Sequence, residues 1–361
     1  MAQINKPNTH FNTLLYTGDG ATSTAGTTAR TLTGVGFQPD LTWVKERSNT
    51  EQHFLQDAVR GASKVLASNT TTAEADVLTN YTDGGINGFV SDGFTLGSGT
   101  AGNANNINTN TETYVAWNWL ASNTTASNTD GSITSTVSAN TTSGFSIVSY
   151  TGTGANATIG HGLGVAPKFI IIKVRNADRY WAVQTSTGAG FEMNLNVTEA
   201  QTATSVYWNS TDPTSSVFSV GTNAATNLSG DDYIAYVFAP IKGFSKMGSY
   251  TGNGNADGPF VYTGFKPAFI MIKKTDSATQ NESWYIFDNK RSTFNPTDDA
   301  LRANLSNAEI SDWSAFIEFL SNGVKIRNSD PSTNVDGSVY VYMAFAENPL
   351  VGTNNIPATA R

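Results

Sequence analysis

Three histidines, His10, His53 and His161, are all the imidazole chemistry this 361-residue chain can draw on. They stand far apart, and neither an HExxH pattern nor a Ser/His/Asp order with a supporting motif surrounds them, so no metal centre or nucleophilic triad can be assembled. Cysteine is absent, which removes disulfides, thiolate ligands and thiol nucleophiles. Carboxylates remain. The doublets Asp231-Asp232 and Asp298-Asp299 offer the paired acids of glycoside hydrolysis, but neighbours on a strand point to opposite faces and acids beside Gly or Pro commonly serve turns. An Asp followed three residues later by Arg, at Asp57/Arg60 and Asp288/Arg291, has the form of an active-site pair or of a charge-assisted strand-to-loop corner. The corner is the expectation. No catalytic residue, metal ligand or cofactor is assigned, and the chain is expected not to be an enzyme.

Aromatic side chains are the better candidates for recognition. Tyr207, Trp208 and Trp313 lie outside any repeated pattern, and such rings stack on pyranose faces while the many Asn and Asp side chains supply hydrogen bonds. They are the candidate glycan-binding residues. The same rings would also serve to cover a loop or a join between modules.

The elements that must position these residues recur three times. Tyr-Thr-Gly-x-Gly stands at Tyr16–Gly20, Tyr150–Gly154 and Tyr250–Gly254. Each copy is followed by a strand opened by Pro and closed by Lys six residues on: Pro39 to Lys45, Pro167 to Lys173, Pro267 to Lys273. Proline lacks a ladder donor and belongs at a strand start, and the β-branched and aromatic residues after it read as a buried strand. Next comes an aromatic stretch, His53-Phe54-Leu55-Gln56-Asp57 against Trp284-Tyr285-Ile286-Phe287-Asp288; the second copy keeps Trp181 but has Thr185 in place of the Asp. Closing strands Tyr114–Trp119, Tyr233–Ala239 and Tyr340–Ala346 alternate large and small residues, as a half-buried strand does. Glycine strings such as Gly152-Thr153-Gly154 lack the Lys and helix of a phosphate loop and read as turns.

A repeat of about a hundred residues is domain-sized. Many short strands with turn signals between them indicate an all-β chain of three tandem antiparallel β-sandwich modules, jelly-roll or lectin-like, with little helix. The boundaries are an N-terminal arm 1–13, modules at 14–121, 145–240 and 241–346, a Ser/Thr/Asn-rich linker 122–144 that is flexible or laid along a neighbour as a strand, and a tail 347–361. The one stretch near helical spacing, Ala308–Leu320, predicts at most a short surface helix.

Charged residues are only 14% of the chain, and 29 acids against 21 bases give a net charge of −8, so a phosphate backbone would be repelled and nucleic-acid binding is not expected. Met1–His10 has no signal-peptide core and no stretch approaches the roughly 20 apolar residues that span a bilayer, so membrane insertion is not expected either. Asn-x-Ser/Thr triplets at Asn69, Asn123, Asn196 and Asn304 read as chance products of an Asn- and Thr-rich composition.

Together the tyrosine-threonine-glycine opening, the Pro-to-Lys strand and the tyrosine-rich closing strand resemble uncharacterised triple-repeat virion structural or tail-fibre-like proteins of marine bacteriophages, including cyanophages. The resemblance runs from Leu14 to Ala346. It implies a virion location after assembly in the host cytoplasm, other virion proteins as partners and contact with host cell-surface polysaccharide, but it transfers no site residues. By analogy with phage appendages a homo-oligomer, trimer or hexamer, is expected. Capsid decoration and a polysaccharide-degrading β-sandwich enzyme are the alternatives.

Overall fold

The computed structural model describes residues 4–80, 84–100, 105–276, 282–352 and 357–359. Met1–Gln3 of the expected arm and residues 353–356 and 360–361 of the expected tail lie outside them. The chain is nearly all β, with antiparallel sheets and, among the described residues, two α-helices of four residues each.

Three larger sheets share one strand order. In the first repeat the opening strand Phe11–Thr17 pairs with the closing strand Thr113–Trp119, which pairs with the proline-led strand Leu41–Glu46; the aromatic strand Phe54–Asp57 and Lys64–Ala67 follow. The second repeat repeats this order with Phe145–Thr151, Asp232–Phe238, Phe169–Val174, Ala182–Gln184 and Phe191–Asn194. The third does so with Ser245–Thr251, Val339–Pro349, Phe265–Lys274, Tyr285–Asp288 and Leu301–Arg302. Smaller sheets accompany them: Thr28–Thr33, Gly93–Gly97 and Gly85–Val90; Ala157–Gly160 and Val217–Val220; Phe260–Tyr262, Gly323–Ile326 and Ile317–Leu320.

The Tyr-Thr-Gly-x-Gly motif closes each copy. Its tyrosine stacks on the first tyrosine of the closing strand, Tyr16 on Tyr114, Tyr150 on Tyr233 and Tyr250 on Tyr340, with ring centres 4.9–5.0 Å apart and planes within 11°. Each hydroxyl donates to a buried carbonyl, of Ile107, Thr226 or Thr333, at 2.6–2.8 Å. Both glycines are structural. A Cβ on Gly18, Gly152 or Gly252 would lie 1.9–2.2 Å from a backbone oxygen, while Gly20, Gly154 and Gly254 hold φ of +63 to +75°. A buried asparagine in each copy, Asn108, Asn227 or Asn334, pins this loop with its amide oxygen and its own carbonyl.

Alternation along the strands gives each larger sheet two apolar faces. One face packs with its smaller sheet, through Val44, Phe94 and Tyr114, through Ile170, Phe218 and Tyr233, or through Ile270, Val324 and Tyr340. The opposite faces of all three larger sheets converge on one central core. Trp119, Phe238 and Phe345, at equivalent register positions, form a triangle there with ring centres 5.8–6.2 Å apart.

Several expected details are settled or change. Of the two readings of 122–144 the strand along a neighbour holds: Ala126–Asn128 and Ser135–Asn140 extend the second sheet, with Ile133 and Val137 buried. Residues 308–316 form no helix and Ile317–Leu320 is a strand, because Ile317 and Phe319, two apart, are the buried pair. Arm residue Ile4 is buried in the central core, and the first strand begins at Phe11. Asn69, Asn196 and Asn304 are one element rather than chance triplets: each side chain accepts from the backbone N–H of His53, Trp181 or Trp284 at 2.9–3.0 Å.

Candidate functional site

The repeats meet in a cycle of three seams, first on second, second on third, third on first. At each, a backbone N–H donates across: Glu74 to Arg175 O, Gln201 to Thr275 O and Glu309 to Arg47 O, at 2.7–2.8 Å. A ring N–H crosses as well. The Trp181 indole donates to Ala67 O and that of Trp284 to Asn194 O, both at 3.0 Å. At the third seam the equivalent residue is His53, whose Nε2 lies 3.0 Å from Arg302 O while its Nδ1 accepts from Trp43 Nε1 at 2.9 Å. That acceptor role leaves the proton on Nε2, so the imidazole donates where the others offer an indole. Burial holds the His53 pKa well below the usual imidazole value.

The strand-ending lysines are buried at the same places. Lys173 donates to Thr71 O at 2.9 Å and Lys273 to Thr198 O at 3.2 Å, each reaching the preceding repeat, while Lys45 donates to Glu46 O and Asn49 O within its own. Burial lowers all three to a pKa of about 8.

Two seams carry a buried ionic network. Between first and second repeats, Arg60 lies between Asp57 and Glu74, Glu74 takes Arg175 in a two-pronged contact at 2.9 and 3.0 Å, and Tyr236 donates to Asp57 at 2.8 Å. Between third and first, Arg291 lies between Asp288 and Glu309, Glu309 takes Arg47 at 2.6 Å, and Trp117 Nε1 donates to Asp288 at 3.0 Å. Burial would raise the Asp288 and Glu74 carboxyls, but the guanidinium contacts outweigh it and both are lowered. The seam between the second and third repeats has Thr185, Gly188, Gln201 and Thr275 at the matching places, and Met343 where Trp117 and Tyr236 stand. Thr187 Oγ1 donates to Gln201 at 3.1 Å. Acid, bases and aromatic donor are thus replaced together.

The expected corner reading of Asp57/Arg60 and Asp288/Arg291 fits this geometry, since each Asp also accepts from the backbone N–H of its Arg at 2.9–3.0 Å. The acid doublets have similar duties. Asp232 accepts from Thr151 Oγ1 and Asp231 from Asn176; the backbone N–H groups of Asp298 and Asp299 both donate to Ser292 Oγ. His161 accepts from Leu163 N and lies 3.2 Å from Thr214 O, and His10 packs edge-on to Phe244. Among the described residues no cluster of His, Cys, Asp and Glu could hold a metal ion.

The proposed sugar-stacking rings do not come together. Trp208 is fully buried and Tyr207 nearly so, both in the core of the second repeat; a sugar stacks only on an exposed aromatic face, and Trp208 has none. The edge of Tyr207 reaches a cleft of about 420 Å³ beside the exposed Tyr180, with Asp178, Arg179 and Asn223. Trp313 is half-buried, stacked on Tyr285 with ring centres 4.6 Å apart.

Sequence reasoning passed over a different pair. Phe260 and Tyr262 flank the buried Val261 on an edge strand of the third repeat, and they are 45% and 51% exposed. They share the outward face of the smaller sheet with Lys325 and Gly323 on the next strand and Glu318 and Leu320 beyond. The strict alternation Phe-Val-Tyr was the available signal.

Residues 6–349 match the family model described as Domain of unknown function (DUF7483), so the chain belongs to that family. Comparison with curated proteins and with solved structures returns no match. No helix among the described residues is long and apolar enough to cross a membrane.

Proposed function

We propose, taking membership of the DUF7483 family as the premise, that this chain is a virion structural protein of a tailed phage, a tail or tail-fibre component that contacts host-surface glycan. Its repeats are three β-sandwich modules, 14–121, 145–240 and 241–346. The observation that carries the reading is the closure of three homologous units round a single aromatic core, sealed by buried lysines, rings and ion pairs. Polar chemistry invested in seams is what a rigid particle component needs, and the histidines and paired acids described above are engaged in hydrogen bonds or packing. Other virion proteins, and further copies of the chain as a trimer or hexamer, are the partners this role calls for.

One observation favours the capsid-decoration alternative: a chain with internal threefold arrangement suits a threefold position on a shell. Imaging of purified particles labelled with antibody against the chain separates the two. Label on the tail is expected; label on the shell establishes decoration, and unlabelled particles overturn the virion reading altogether. Incubation with host envelope polysaccharide is expected to release no reducing sugar, and release abolished by Asp232→Asn or Asp299→Asn would establish the enzyme instead.

A further inference from the structure

The outward face of the smaller sheet in the third repeat, built on Phe260 and Tyr262, is a saccharide-binding platform, we propose. The internal comparison isolates it. At the same register positions the first repeat presents Thr31 and Thr33 beside Thr95 and Gly93, and the second presents Thr158 and Gly160 beside Ser219 and Val217. In the third, Phe260 faces Lys325 and Tyr262 faces Gly323. The second copy's edge is also covered by its own chain, since Ile133 pairs with Ile159 and donates to Thr158 O at 3.0 Å. No named strand or isolated bridge among the described residues covers the edge that carries Phe260 and Tyr262.

The geometry suits a sugar chain. Two side chains at i and i+2 on a strand stand roughly 7 Å apart on one face, a spacing on the scale of adjacent units in an oligosaccharide. Gly323 forms the floor: a Cβ there would lie 2.8 Å from the Phe260 ring. Lys246 sits over Tyr262, its Nζ 5.2 Å from the ring centre and donating to Tyr262 O, and the ring lies beside Gly264 while staying 51% exposed. Charged groups border the face on the Phe260 side, with Asp257 bound to Lys325 at 2.8 Å and Arg327 to Glu318 at 2.8 Å. Apolar ring faces take the C–H face of a pyranose, and the bordering groups exchange hydrogen bonds with its hydroxyls.

The size of the patch argues against a second protein. Two aromatic side chains, each about half exposed, offer on the order of 200 Å², whereas a stable protein interface takes about 800 Å² from each partner. The occupant is a neutral or weakly charged polysaccharide. This rests on the glycan-contact part of the proposed function, but not on where in a particle the chain sits.

Affinity electrophoresis of the whole chain tests it, through gels cast with dextran, xyloglucan, mixed-linkage β-glucan or a neutral bacterial O-chain polysaccharide. At least one polymer is expected to retard the chain, and the double variant F260A/Y262A to weaken that retardation at least tenfold while T31A/T33A leaves it unchanged. Thermal melting of both variants is expected to match the parent, because all four side chains are exposed or half-exposed. Absence of retardation by every polymer, or equal retardation of F260A/Y262A, overturns the proposal. So does sedimentation showing the parent to be a dimer that F260A/Y262A dissociates. Particle labelling is independent of all these outcomes, so failure here leaves the virion reading standing.

Discussion

The seam between the second and third repeats has neutral groups at the places where the other two hold a buried acid–arginine network, though the backbone crosses all three in the same way and Lys273 still reaches across it. Asp288, Arg291, Glu309, Arg47 and Trp117 have as counterparts Thr185, Gly188, Gln201, Thr275 and Met343. The difference teaches that the network is a unit. A buried charge is tolerated only when every partner is present, so removing part of it strands the rest, while a complete neutral set packs without penalty. Met343 is informative: a thioether suffices where there is no carboxylate to receive an indole or phenol hydrogen bond.

Breaking the charged seam at one residue should therefore have the largest effect. Arg291→Ala leaves Asp288 and Glu309 without their shared guanidinium and is expected to cost about 3–5 kcal/mol in urea unfolding. D288A/R291A should cost less than the sum of its single variants; strict additivity would show that the network does not act as a unit. His53→Ala, which orphans Trp43 Nε1 and Arg302 O at the third-to-first seam, is expected to cost about 2–3 kcal/mol.

Acid sharpens the comparison next. His53 has a folded pKa below its unfolded value, so the unfolded chain binds more protons and stability falls as pH drops below about 6.5. The slope approaches about 1.4 kcal/mol per pH unit for this group, and His53→Gln should flatten it. Glu74 and Asp288 are also lowered, so their stabilisation is complete above the unfolded carboxylate range and is lost as pH falls below about 4. Hydrogen exchange near pH 3 should open the two charged seams before the neutral one. The smallest effect belongs to that neutral seam, where Gln201→Ala is expected to cost about 1 kcal/mol; a loss equal to that of Arg291→Ala would erase the distinction drawn here.

What the sequence made legible was local. Pro39 and Pro167 precede buried strands as expected, whereas Pro267 lies inside Phe265–Lys274 at a register shift; each strand runs one residue past its buried lysine, and the tyrosine pairs stack where the opening and closing strands meet, because periodicity and turn chemistry act over a few residues. The cyclic packing was hidden, since aligning copies reveals what they share and not how they sit on one another. Its trace was the missing Asp at Thr185, which becomes interpretable only beside Gly188, Gln201 and Met343. Trp208 was misplaced for a related reason: a ring outside the repeated pattern can fill a cavity peculiar to one copy, as it does here. For 122–144 the sequence left linker and strand both open, because Ser and Thr at alternate positions become a strand only when a neighbouring strand is there to pair with.

The aromatic triangle on the central axis holds Trp119, Phe238 and Phe345, three positions equivalent by register and different by residue type. In three identical subunits one codon would set all three corners, and any change at the axis would be imposed threefold. Joined in one chain, each corner, seam and outward face mutates alone. That independence lets one copy discard a charged network, another gain two edge strands, and a third acquire a pair of exposed rings, while the axis stays filled.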